Sequence, residues 1–114
     1  MWNKLGQLLN TDGWQREQSK LWANRHYPDD RQEAAAAAAR HIIIQIGIPF
    51  DSLLPSSRFI ENLAMDDLEG VELVMGLEEE YKFKIPDEEY ACMATVSELV
   101  DYLHKQFSSN RAER

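Results

Sequence analysis

Residues 34–39 are six consecutive alanines, followed after Arg40 and His41 by Ile42, Ile43 and Ile44. Alanine is the strongest helix former, because its methyl side chain has no rotamer freedom to lose. The run therefore dictates a helix, and a thin one that neighbouring helices can approach closely. Ala35, Ala39, Ile42 and Ile46 recur at helical spacing and define its buried stripe. Asp30 and Glu33 form a D-x-x-E variant of the capping box and predict the start. Gly47 and Pro49 predict the stop. The low complexity of this segment is read as tight packing alone.

Two further long helices follow from the same rules. Thr95-Val96-Ser97-Glu98 is a capping box, and Val96, Leu99, Val100, Leu103 and Phe107 repeat on one face behind it. A second helix is predicted from near Asp66 to about Tyr81, again opened by a D-x-x-E pair, Asp66 and Glu69. Ile85-Pro86 breaks it, and Asp87 to Ala91 is a candidate short helix. Residues 48–65 are predicted to be irregular, because of Pro49, Pro55, Ser56 and Ser57, and to be pinned to the core by Leu53, Leu54 and Phe59.

Residues 1–28 form an N-terminal arm. Trp2, Leu5 and Leu9 fall at helical spacing; Asn10-Thr11-Asp12-Gly13 reads as a break with Asp12 as N-cap of a second segment. Trp14, Leu21 and Trp22 then make a stripe, and Pro28 closes the arm. Tryptophan rings are costly to leave in water, so packing on the bundle is favoured over a partner-binding or membrane-surface role. The arm also lacks the Lys/Arg cluster of a membrane-surface helix. Residues 108–114 read as a frayed polar tail.

At 114 residues the chain suits one small domain plus this arm. No apolar run approaches the roughly 20 residues that span a bilayer. The N-terminus lacks the basic-then-apolar layout of a signal peptide, and the single cysteine, Cys92, suits a reducing compartment. A cytoplasmic monomer is expected. Residues 59–90 hold eleven acidic and two basic side chains, a net of −9 in a chain whose total is −8. Such concentrated acidity repels nucleic acid and anionic membrane and steers basic protein surfaces. His26, His41 and His104 are scattered without metal-ligand spacing, and the acidic residues lack a calcium-loop pattern. No phosphate-binding Gly-rich loop or nucleophile–base motif occurs, so neither a metal site nor catalysis is expected.

Turning about 100° per residue sorts the predicted helix 66–81 into two faces. Leu73, Val74, Leu77 and Tyr81 share the core side, with Gly70 placed there to admit the alanine-rich helix. Leu68, Glu72, Met75 and Glu79 share the outward side, flanked by Glu69 and Glu80. Apolar residues set among carboxylates have the layout of a docking patch, in which charge steers and the apolar centre desolvates.

V-E-L-V-M-G-L-E-E-E (71–80), I-P-D-E-E (85–89) and A-T-V-S-E-L-V-D-Y-L (94–103), in this order and with these gaps, resemble a bacterial acyl carrier protein. The resemblance covers roughly residues 30–107. It implies an all-α fold: an acyl-carrier-like four-helix bundle of three longer helices and one short one, here spanning 29–107 and preceded by the helical arm. It implies that partners with basic docking surfaces recognise Asp66, Glu69, Glu72, Glu78 and Glu79, with apolar contacts at Leu68, Val71 and Met75. Carriers of that family read Asp-Ser-Leu at the start of this helix, and the serine holds phosphopantetheine. This chain reads Asp66-Asp67-Leu68. A carboxylate is a poor nucleophile toward phosphate, and its product would be a labile mixed anhydride, so no phosphopantetheine is expected at Asp67. Ser52, Ser56, Ser57, Ser97, Ser108 and Ser109 stand outside any Asp-Ser-Leu context. Asp67 suits a first helical position, where an acid interacts favourably with the helix dipole by about 0.3–1 kcal/mol. Alternatively its charge stands in for the phosphodiester at a docking site. The expected function is a non-enzymatic interaction module. The alternatives are a working carrier, in fatty-acid or polyketide metabolism, with a non-standard or altered attachment site, and a protein that holds an acyl chain non-covalently.

Overall fold

The structure, a computed structural model, describes the backbone of residues 2–112 and the side chains of residues 13–110. Among the described residues five α-helices appear in the order α1 (Trp2–His26), α2 (Gln32–Ile46), α3 (Asp67–Tyr81), α4 (Asp87–Ala91) and α5 (Val96–Ala112), with a 3-10 turn at Phe50–Ser52. The chain is thus all-α: a bundle of three longer helices and one short one, preceded by an N-terminal helix.

The alanine run places α2 at the centre. Ala34, Ala35, Ala37, Ala38 and Ala39 are all buried, as are Ile42 and Ile43. Burial is therefore wider than one stripe, because α1, α3 and α5 all pack on α2. Methyl-sized side chains let helices sit close on several sides at once. The start of α2 differs from the predicted capping box. Arg31 is the N-cap and makes no side-chain cap bond. Instead Asp29 accepts the Arg31 backbone N–H at 2.9 Å, and the Arg31 guanidinium bridges Asp29 and Asp101 of α5. Asp30 turns toward His104 of α5. The predicted stop is met: Gly47 ends α2 with φ +71° and donates its N–H to the Ile43 carbonyl at 2.8 Å.

The arm is one helix, without the predicted break. Backbone continues helical through residues 10–13, so no second segment begins at Asp12. A mid-helix glycine costs only about 1 kcal/mol, too little to interrupt a helix whose second half is packed. The stripe is also rotated from the predicted one. Ser19, Trp22, Ala23 and Tyr27 are buried, whereas Trp14 and Leu21 are about half exposed. Trp22 is fully buried, and its indole N–H donates to the Leu53 carbonyl at 2.8 Å. Trp14 meets the Phe50 ring edge-on, with centroids 6.1 Å apart. Trp2, Leu5 and Leu9 lie outside the residues whose side chains are described. At the other end α5 stays helical to Ala112, beyond the expected start of a frayed tail.

The connection 48–65 is irregular, as its prolines dictate. Leu53 and Phe59 are buried anchors, but Leu54 is exposed. Leu53 and Leu54 point to opposite sides of an extended backbone, so only one can face the core. Phe50 and Met65 supply the remaining anchors. Residues 55–59 are tied to the start of α5 by Phe59 N–H to Ala94 O, Val96 N–H to Ser57 O and Ser97 N–H to Pro55 O. The α5 capping box forms as predicted: the Glu98 N–H donates to the Thr95 hydroxyl, and the Glu98 carboxylate accepts the Thr95 N–H at 2.9 Å. Val96, Leu99, Val100, Leu103 and Phe107 line the core.

Gly70 is buried, but its neighbour is not α2. A Cβ built there would lie 2.9 Å from the Tyr90 hydroxyl and 3.3 Å from the Tyr90 ring, so the glycine admits the short α4. The glycine that meets α2 is Gly76, whose built Cβ would stand 3.0 Å from His41 Nδ1. Gly70→Ala gains about 1 kcal/mol of helix propensity but overpacks against Tyr90 by about 1–3 kcal/mol. Denaturant titration should show the single variant destabilised and the pair Gly70→Ala with Tyr90→Phe closer to wild type than the two single effects summed. Trp22→Phe leaves the buried Leu53 carbonyl without its donor and should cost about 1–3 kcal/mol on the same measurement.

Candidate docking site on helix α3

Asp66 opens α3 from an extended conformation. Its carboxylate accepts the Glu69 N–H at 2.8 Å, and the Glu69 carboxylate accepts the Asp66 N–H at 3.0 Å. Both carboxylates thus hold the helix start. Asp67 is the first helical residue and is exposed. Behind it, Leu68, Val71 and Met75 are 64%, 53% and 54% exposed, an amount of bare apolar surface that a merely solvated face does not need. Glu72 and Glu79 are exposed beside them. On the opposite side Gly70, Leu73, Val74 and Leu77 are buried.

Two acidic residues predicted near this patch have other partners. Glu78 is only partly exposed, and its carboxylate accepts the Ile85 backbone N–H at 2.7 Å, tying the chain after α3 back to the helix. Glu80 does not flank the outward face. It turns inward to bind Arg40 and His41 of α2, the latter at 2.7 Å from His41 Nε2, and Arg16 of α1 at 3.4 Å. Its position was legible: Glu80 follows Leu73 by seven residues and so lies on the core side. Arg40 and His41, polar residues beside a buried alanine run, were the matching signal.

This cluster anchors the patch-bearing helix to α1 and α2. Burial opposes ionisation of Glu80, but the hydrogen bonds from Arg40 and His41 outweigh it and lower its pKa to about 2. Burial lowers the His41 pKa, and the bond to Glu80 only partly offsets this. His41 therefore favours its neutral form, with the Nε2–H donating to Glu80.

Residues 40–103 match the family described as phosphopantetheine attachment site. The match covers more than half of the chain, and the chain belongs to this acyl carrier protein family. It takes in α3, α4, the second half of α2 and the first half of α5, and leaves α1 outside. Members normally carry phosphopantetheine covalently. Asp67, which the resemblance sets at the serine position, presents a carboxylate. Among the described side chains, no serine lies on α3. Ser19, missed in the sequence reading, is buried and donates to the Arg16 carbonyl; Ser57 is buried and accepts the Leu54 N–H; Ser97 accepts from the Tyr27 hydroxyl. Ser52 and Ser56 precede α3, and Ser108 and Ser109 lie near the end of α5. Among the described residues no helix is long and apolar enough to cross a membrane, and no group of three or more His, Cys, Asp or Glu is placed to hold a metal ion.

The pKa directions fix an acid profile. Glu80 is depressed in the folded state, so its contribution is present above its unfolded value near 4.5 and is lost as pH falls toward about 2. His41 is also lowered below its unfolded value of 6.5, so stability begins to fall as pH drops below that value. Glu80→Gln should flatten the stability-against-pH curve between pH 4.5 and about 2, read by urea midpoints across that range.

Proposed function

We propose that this chain is a non-enzymatic, acyl-carrier-like interaction module that docks the outer face of α3 on enzymes bearing basic carrier-recognition surfaces, without a phosphopantetheine arm. The observation that carries the reading is Asp67. The residue sits at the exposed first turn of α3, directly beside the intact apolar and acidic patch of Leu68, Val71, Met75, Glu72 and Glu79. Docking needs that patch, and carrying needs an oxygen nucleophile that a carboxylate does not supply. Asp66 and Glu69 add charge at the helix start while holding its backbone. Glu78 adds charge at the far end while bonded to Ile85. The module acts as a monomer in the cytoplasm on protein partners, and its acidity keeps it off nucleic acid.

Co-expression with a broad-specificity phosphopantetheinyl transferase tests the first half. Intact mass of the wild-type chain should not change, whereas Asp67→Ser should gain the phosphopantetheine mass. A gain mapped to any serine of the wild type would overturn the reading. Docking is tested by competition: the wild-type chain should inhibit loading of a working acyl carrier by the same transferase. Glu72→Lys combined with Glu79→Lys should weaken that inhibition about ten-fold, as expected for two reversed exposed charges.

A further inference from the structure

The two cations of the acidic segment 59–90, Lys82 and Lys84, converge on one open cleft at the C-terminal end of α3. The cleft has a volume of about 370 Å³ and is lined by Met75, Glu78, Glu79, Lys82, Phe83 and Lys84. Both lysines are exposed, and among the described residues neither forms an ion pair, although carboxylates surround them in sequence.

Lys82 also holds an unfavourable backbone. It caps α3 in the left-handed region at φ +58°, where a side chain is strained and glycine is not. The same job at the end of α2 is done by Gly47. A lysine in this place gives up stability relative to glycine and adds a cation to the cleft lining. The apolar part of the lining is Met75 and Phe83, and Met75 is shared with the docking patch. Glu79 stands on the lining with opposite charge, while the Glu78 carboxylate is bonded to the Ile85 N–H.

We propose that this cleft is a second part of the docking surface, and that it takes a protruding segment of a partner protein in which an apolar side chain is flanked by a carboxylate. The apolar side chain seats on Met75 and Phe83, the carboxylate meets Lys82 and Lys84, and a base on the segment's other side meets Glu79. Charge complementarity commits the occupant: an all-basic segment satisfies Glu79 and leaves both lysines unpaired. The lining comes from one continuous stretch, 75–84, which grips a protruding group and does not enclose a small molecule as ligand pockets do. The inference rests on the docking role of α3 and adds a requirement for acid on the partner.

The test titrates the isotope-labelled full chain with two peptides and follows backbone amide signals by NMR. One peptide is Ac-Gly-Lys-Leu-Phe-Glu-Gly-amide, and the other has Gln in place of Glu. The Glu peptide should move signals within 75–84 and bind about three-fold more tightly than the Gln peptide, the size expected of an exposed ion pair. Lys82→Gly with Lys84→Gln should remove that preference while raising the unfolding temperature, since glycine relieves the positive φ. Equal affinity for both peptides, signal changes outside 75–84, or a preference that survives the double variant would each overturn the proposal. Glu72→Lys lies outside the cleft and should leave the peptide result unchanged while weakening competition for the transferase. Loss of the peptide preference therefore reports on the cleft alone, and loss of the Glu72 effect reports on the docking face alone.

Discussion

Close approach to α2 is the condition on which the other helices depend. Five of its six alanines are buried, and α1, α3 and α5 all rest on it. Three helices can share one neighbour only if its side chains are short on several sides. A leucine at Ala35, Ala38 or Ala39 would need room that the packed interior does not hold, because cores are filled near crystal density. The longer loops and the short α4 then close what remains around this axis.

A second constraint is polar. Arg40 and His41 are nearly buried in α2 and must be satisfied there, and Glu80 serves both while also reaching Arg16. An isolated buried charge is costly, and the arrangement makes one carboxylate of α3 the common partner of α1 and α2. The same cluster sets the rotation of α3. With Glu80 drawn inward beside Leu73 and Leu77, the residues opposite them, Leu68, Glu72, Met75 and Glu79, face water. The exposed patch is thus the reverse side of a buried ionic contact.

Much of this was legible in the residues. The capping boxes at Asp66 and Thr95, the α4 span and the two faces of α3 all follow from local rules, because each depends on neighbours three or four positions away. Where the prediction failed, a distant partner decided. Asp30 lost the cap because Arg31 was drawn to Asp29 and Asp101. Gly70 met Tyr90, which no pattern within α3 could foretell. The arm ran through Gly13 because packing of its second half outweighed a weak local break. Within the site, Leu68 and Met75 were readable as an exposed row and Val71 followed only from the family resemblance, while the cleft at Lys82 and Lys84 includes a residue at a positive φ that sequence does not announce.

The indole of Trp22 carries a different lesson. The family match begins at residue 40, yet Trp22 lies before it, fully buried, with its N–H on the Leu53 carbonyl within the matched region. Ala34, Ala35, Ala37, Ala38 and Ala39, also outside the match, form much of the same core. The unit of descent and the unit of folding therefore have different edges. A segment cut at the boundary of kinship would lose a wall of its own interior and bare a carbonyl and an apolar face that the whole chain keeps dry.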